Sequence, residues 1–317
     1  MEEDVGSEEI LDSQLKEVWV PLRYADLSQD RLKAIGGVLD TIPALPVSVQ
    51  EIIQLAADTA CGAKEIAEVA ASDPVLVSNI LMTVNSSYYS LSRKIDNLRL
   101  AIVLLGFEEV RNIAIQCGLT NAFKDLSKIK GFDTRNLWIH SNLVSVCAES
   151  FSSDDDPKRG GILLTMGMLH DIGKYALFAI GMIMKRNGVD GPKPEVLSHA
   201  THLMEKEELY FGVNHAIVGG LLARKWNLSE RIGTVLECHH YPSFHGISEI
   251  PSDYLEDITT ICIADLVVNQ MSHPGMKLKY PHPVFFNTIG VDPNIQNFLT
   301  PELERKLIKA RNMLDNF

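Results

Sequence analysis

The stretch Leu169-His170-Asp171-Ile172-Gly173-Lys174 decides how the rest of the chain reads. An apolar run, Ile162-Leu163-Leu164-Thr165-Met166-Gly167-Met168-Leu169, leads straight into the adjacent His-Asp pair. A buried helix that ends in two polar groups needs partners for them, because unpaired polar groups are costly to bury. A hydrogen bond between the two at a helix end is one solution, and for an isolated pair it is the preferred one. A metal is another: imidazole offers a neutral nitrogen, and a carboxylate offers one oxygen to each of two cations. This pair is not isolated. His140 precedes it, and His215, the doublet His239-His240 and Asp265 follow. Asp265 lies inside Ile261-Cys262-Ile263-Ala264-Asp265-Leu266-Val267-Val268, an apolar run in which a charge is rarely left unpaired.

Upstream of the pair the text is helical. Val49, Ile52, Ile53 and Ala56 recur at i, i+3, i+4 and i+7, a helical stripe. Ile66, Val69 and Ala70 give a shorter one. Asp73-Pro74 reads as an N-cap followed by proline at the first helical position, where no N–H is missed. The helix it starts carries Val77, Ile80, Leu81 and Val84 and ends near Asn85-Ser86-Ser87. Leu98, Ala101, Ile102 and Leu105 line another face, and Gly106 breaks it before Val110, Ile113, Ala114 and Cys117. Lys130-Gly131-Phe132-Asp133 marks a boundary. Beyond it a helix carries Leu137, His140, Val144 and Cys147.

Downstream, the Gly- and Pro-rich stretch from Asn187 to Pro194 is a loop. His199 and His202 follow at i and i+3, a spacing that suits a metal as well as a helix surface. Gly219 and Gly220 weaken an isolated helix, so close packing against another helix is expected there. Ser229 caps the helix that reaches His239-His240. Thr300-Pro301-Glu302 opens a last helix, with Leu303, Leu307, Ala310 and Leu314 on one face. No run of alternating strands occurs. The chain is therefore expected to be all-α: an arm over 1–27, a bundle of short helices over 28–130, a metal-binding helical lobe over 131–290 and a C-terminal helix over 291–317.

Composition narrows the function. At 317 residues and 46% hydrophobic, the chain can bury a sizeable core. A net charge of −12 argues against nonspecific nucleic-acid binding, which draws on Lys and Arg. A small phosphate ester still suits such a protein if metals supply local positive charge. The five cysteines, at 61, 117, 147, 238 and 262, show no CxxC pair and fit reduced thiols. Without a secretory leader or an apolar run of about 20 residues, no membrane association is expected and the cytoplasm is the expected compartment.

The ordered set H…HD…H…HH…D resembles the HD superfamily of metal-dependent phosphohydrolases. The upstream pieces Ile42-Pro43-Ala44-Leu45-Pro46, Ser72-Asp73-Pro74-Val75-Leu76, Asn85-Ser86-Ser87-Tyr88-Tyr89 and Ala101-Ile102-Val103-Leu104-Leu105-Gly106 resemble the opening of an HDOD domain. The resemblance implies that His140, His170, Asp171 and Asp265 hold one metal. Asp171 then bridges to a second, held by His215, His239 and His240. Imidazole and carboxylate ligands without thiolate suit two divalent transition metals, Fe or Mn first, with Zn, Co or Ni compatible, rather than Mg or Ca. Two such metals activate a shared water or hydroxide and polarise a phosphoryl oxygen.

The resemblance also gives Lys174 contact with the substrate phosphate. A charge at a helix C-terminus is its alternative role. His199 and His202 fall outside the superfamily order and are expected not to be ligands. Two departures separate the chain from the related HD-GYP phosphodiesterases. Tyr241-Pro242-Ser243-Phe244-His245-Gly246 lacks an intact GYP tripeptide, and position 136 is Asn where enzymes with a third metal have Glu. The expected function is a signalling protein with a phosphohydrolase site. Its competitor is a non-catalytic scaffold that binds metal or nucleotide and a protein partner.

Overall fold

The computed structural model describes residues 19–55, 62–124, 134–152, 157–186, 203–275, 278–294 and 298–315, apart from Ser87, Ser90 and Ser92. Among these residues there is no strand, and the fold is all-α. The N-terminal half folds as α1 (Gln29–Leu39), α2 (Val47–Leu55), α3 (Ala63–Ala70), α4 (Pro74–Val84), α5 (Leu98–Leu105) and α6 (Phe107–Ala122). The caps expected from sequence are in place. Asp73 Oδ1 accepts the backbone N–H of Val75 and Leu76 at 3.0 and 3.1 Å and starts α4. Asn85 ends it, donating to the carbonyls of Leu81 and Ile95 at 2.7 Å each. Gly106, at φ 83°, turns α5 into α6 in a conformation that side chains with a Cβ rarely adopt. Val49, Ile52, Ile66, Ile80, Ile102 and Val110 are fully buried where these helices meet.

The second half contains α7 (Thr134–Glu149), α8 (Pro157–Leu169), α9 (Ile172–Arg186), α10 (Leu203–Phe211), α11 (His215–Lys225) and α12 (Glu230–Cys238). A single turn α13 (Tyr241–Phe244), the long α14 (Leu255–Ser272), the short α15 (Pro283–Thr288) and α16 (Pro301–Asp315) complete it. Helix α14 is buried on every side from Asp257 to Val268, as befits an apolar helix at the centre of a bundle. It packs on α7 and α8, while α11 lies between α9 and α12. A Cβ on Gly220 would lie 2.8 Å from Glu237 Cβ and 3.0 Å from the Gly233 carbonyl, which is the close helix approach its sequence predicts.

Two side chains at the end of α11 fasten the halves together. The buried Trp226 donates its indole N–H to the Pro43 carbonyl at 3.0 Å, and Lys225 donates to the Leu39 carbonyl. The arm is seated as well: Trp19 Nε1 donates to Glu208 Oε2 at 3.0 Å, and Leu22 N–H to Glu208 Oε1 at 2.7 Å. The Trp19 ring stands edge-on to Phe244 at 5.4 Å. No helix among the described residues is long and apolar enough to cross a membrane.

Candidate metal centre

Six helices meet at the His-Asp pair. Helix α8 stops at Leu169, His170 and Asp171 form the break, and α9 starts at Ile172. The break corrects one expectation. Lys174 lies in the first turn of a new helix, so it is not a C-terminal helix charge. Its side chain folds back onto Asp171, with Nζ 2.5 Å from Oδ2. From α7 comes His140. His215 is the first residue of α11, whose N-cap Asn214 accepts the backbone N–H of Ile217 at 3.1 Å. His239 and His240 follow the end of α12, and Asp265 projects from the middle of α14.

All seven sequence-predicted residues come together, in two groups. Asp171, His215, His239 and His240 can each offer a ligand atom within 4.8 Å of the others, and so can His140, His170 and Asp265. Asp171 stands between them. Its Oδ2 is 3.3 Å from His170 Nε2 and 3.7 Å from His140 Nε2, and its Oδ1 is 3.3 Å from His215 Nε2. Asp265 Oδ1 lies 2.9 Å from His140 Nε2 and 3.7 Å from His170 Nε2. The break explains the reach of Asp171. Gly173 touches the backbone of α11, and a Cβ there would overlap the His215 carbonyl oxygen. Glycine thus lets α9 approach α11 closely enough for Asp171 to meet His215.

Outer contacts orient the rings. His170 Nδ1 lies 2.8 Å from the Gly167 carbonyl and His239 Nδ1 lies 2.7 Å from the Leu236 carbonyl. A carbonyl only accepts, so each Nδ1 carries a hydrogen and each ring turns its Nε2 inward. His215 Nδ1 donates to Glu207 Oε2 at 2.7 Å, and the same oxygen accepts the His215 backbone N–H at 2.8 Å. Asn269 Nδ2 donates to Asp265 Oδ1 at 2.8 Å. Such outer partners fix tautomer and orientation in metal sites. Neither Glu207 nor Asn269 was evident from sequence. Glu207 hides in Glu205-Lys206-Glu207-Glu208, which has the composition of a solvated face, and no motif marks Asn269.

The centre fits cations on two observations. First, His170 Nε2, His239 Nε2 and Asp171 Oδ1 are buried and have no hydrogen-bond partner, and an unmet buried polar atom costs about 1–3 kcal/mol. Second, the carboxylates demand positive charge. Burial opposes ionisation of Asp171 and Asp265, yet His170 with Lys174, and His140 with His170, outweigh it and hold both well below the usual carboxylate range. Burial also opposes charge on His170, but Asp171 and Asp265 push it up to about 10. His239 and His240 do not share that role: burial, reinforced by neighbouring histidines, drives His239 far down and His240 to about 3. The far half of the pocket thus offers neutral nitrogens, the form in which imidazole binds a metal.

His199 and His202 lie outside the described residues. Cys147, Cys238 and Cys262 are buried, and burial pushes each thiol up to about 12. These thiols serve as packing.

Known proteins share this fold. The HDOD domain family model matches residues 42–242. An uncharacterized protein of Treponema pallidum is 21% identical over 241 residues, covering 74% of this chain. The chain spans only 44% of that relative's length. Among solved structures, an HDOD domain protein of Geobacter sulfurreducens superposes with a TM-score of 0.62 at 22% identity, covering 91% of this chain and 99% of its own. A Marinobacter aquaeolei protein provisionally named for signal transduction gives 0.67 at 16% identity, over 98% and 66%. A Shewanella amazonensis protein provisionally named a metal-dependent phosphohydrolase gives 0.52 at 15% identity, over 90% and 100%. At these identities the structures speak to the fold, which is the helical one described above. With the family model covering well over half of its length, the chain belongs to the HDOD domain family.

Proposed function

We propose that this HDOD protein is a cytoplasmic signalling protein that binds two divalent transition-metal ions and hydrolyses a phosphomonoester or phosphodiester. The observation that carries the proposal is Asp171, one oxygen of which faces each group of prospective ligands. His140, His170 and Asp265 would hold one cation with Asp171, and His215, His239 and His240 the other. Fe or Mn suits this donor set best, with Zn, Co or Ni compatible. When bound, such a pair supplies Lewis acidity at a phosphoryl oxygen and an activated water. The names of the Shewanella and Marinobacter proteins are consistent with this chemistry and this role.

The chain's own residues supply the rest. Burial opposes the Lys174 ammonium, but Asp171 and Asp265 outweigh burial and keep it charged. A fixed cation beside the pocket favours a phosphoryl group, whose charge it offsets. Without a GYP tripeptide, cyclic-di-GMP is not the expected substrate.

Elemental analysis of chelator-free protein together with a phosphoester panel tests the proposal. Near two equivalents of metal with hydrolysis of at least one ester supports it. The scaffold reading draws on one contact. Lys174 already pairs with Asp171 at 2.5 Å, so an oxygen needed by a bridge is also held by an ammonium. Metal-replete protein that hydrolyses nothing on the panel but binds a nucleotide or a partner protein would establish that reading instead.

A further inference from the structure

The rings of the metal centre are oriented in two different ways. His170 and His239 each donate from Nδ1 to a carbonyl three residues earlier, so the turn that carries the ring also aims it. His215 depends instead on Glu207, eight residues earlier and across the turn between α10 and α11. Its orientation is set by how α10 sits against α11, and that turn needs its own fastening.

The N-terminal arm supplies the fastening. Leu22 uses both of its backbone groups there: its N–H donates to Glu208 Oε1 at 2.7 Å, and its carbonyl accepts Asn214 Nδ2 at 3.1 Å. Asn214 Nδ2 also donates to Glu208 Oε1, at 2.6 Å. This closes a ring of hydrogen bonds among the arm, the residue after Glu207 and the residue before His215. Asn214 has no exposed surface, and its amide oxygen caps α11, so its donors and its acceptor are all engaged. The Trp19 indole N–H brings a third donor to Glu208. The same arm reaches the segment that follows His239 and His240: Trp19 meets the Phe244 ring, and Arg23 Nη1 donates to Glu249 Oε2 at 2.9 Å. It therefore crosses both segments that deliver the His215, His239 and His240 group. None of these contacts involves α7, α8 or α14.

We propose that residues 19–27 are a strap that positions His215, with Glu208 and Asn214 as its positioning residues. The cation site of His215, His239 and His240 then depends on a docked arm, and the site of His140, His170 and Asp265 does not. For the occupant of the site this rests on the metal reading above; the aim of the His215 ring is a property of the metal-free chain. Whatever draws the arm off α10 would loosen one half of the centre and spare the other.

Proton exchange of the histidine ring N–H groups tests the strap, measured by NMR on chelator-treated full-length protein with signals assigned from single His→Gln variants. Glu208→Ala removes the acceptor of the arm. Asn214→Ser keeps an N-cap oxygen but loses both amide donors. In each, the His215 Nδ1–H should exchange at least about tenfold faster, while those of His170 and His239 stay as in wild type. Glu208→Gln keeps one acceptor oxygen and should restore part of the protection. Should one variant fail to fold, the other decides. Competition against a chromophoric chelator should then show one of two metal equivalents bound about tenfold more weakly and the other unchanged. Unchanged His215 exchange in the folded variants would overturn the proposal, as would equal acceleration of all three rings or equal weakening of both equivalents. Wild type that takes up no metal would overturn the metal reading instead, and ring exchange would still decide whether the strap positions His215.

Discussion

A single carboxylate oxygen, Glu207 Oε2, receives both the backbone N–H and the Nδ1–H of His215, at 2.8 and 2.7 Å. Glu207 is 2% exposed and His215 1%, so neither contact can be replaced by water without rearrangement. The pair fixes the ring with Nε2 toward Asp171. Glu207→Ala leaves two buried donors without an acceptor and frees the ring to turn. Loss of such an outer contact typically lowers metal affinity by 10–100-fold. We expect a loss of that size at one of two sites, read by competition against a chromophoric chelator. Glu207→Gln keeps an acceptor oxygen and should lose less. Equal affinity in wild type and Glu207→Ala would remove Glu207 from the centre.

Asp171 makes the sharper distinction. If it serves both groups, Asp171→Ala should reduce metal content from about two equivalents to well below one. If it serves only the His140 side, one equivalent should survive at His215, His239 and His240. Elemental analysis of variant and wild type, purified side by side without chelator, separates these outcomes. Retention of both equivalents in a folded variant would show that Asp171 bridges nothing.

Much of this centre was legible in the sequence because its residues are rare in their settings. A His-Asp pair closing an apolar run, and Asp265 within another, are conspicuous because burial would cost so much without partners. The helices were legible for similar reasons: caps at Asp73 and Ser229 and the stripes on α2 and α4 are local signals. What was not legible is relational. The break at His170-Asp171 is disguised because apolar residues continue through Ile172, Tyr175 and Ala176. Glu208 binds an arm 186 residues earlier in the chain, a contact no periodicity announces. The cavity between α6 and α7 is assembled from segments between Thr83 and Ala310, and only Tyr88, Tyr89, Leu105 and Gly106 of its lining belong to a recognisable motif.

Stability should fall with pH through Glu149. Burial and the facing Glu108 carboxyl push it up to about 8, from an ordinary value of 4.5. Between those values the native state holds a proton that the unfolded state has released. The contribution of this group is therefore fully present below about pH 4.5 and lost as pH rises through about 8. Glu149→Gln removes the ionisation. Relative to that variant, wild type should show a Tm that declines from pH 5 to pH 8.5, measured by thermal melts at fixed ionic strength. Parallel Tm profiles would mean that the Glu149 carboxyl ionises at its ordinary value.

Lys174 separates turnover from metal holding. Its Nζ sits 2.5 Å from Asp171 Oδ2 and is only 20% exposed, so it neutralises a prospective ligand and faces the pocket at once. An ammonium has no lone pair to give a metal, and Lys174→Ala should therefore keep both equivalents. It removes a positive charge that stands next to Asp171 before any substrate arrives. If that charge steadies a phosphoryl group, turnover of a hydrolysed ester should drop by about 10²–10³-fold, the usual cost of one preorganised donor. Lys174→Arg keeps the charge on a longer, planar group and should recover part of the rate. The split between the two readouts is what matters. Lost metal with lost turnover would make Lys174 a structural counter-charge for Asp171. Unchanged metal and unchanged turnover would leave it outside the reaction. Only retained metal with reduced turnover assigns it to the substrate.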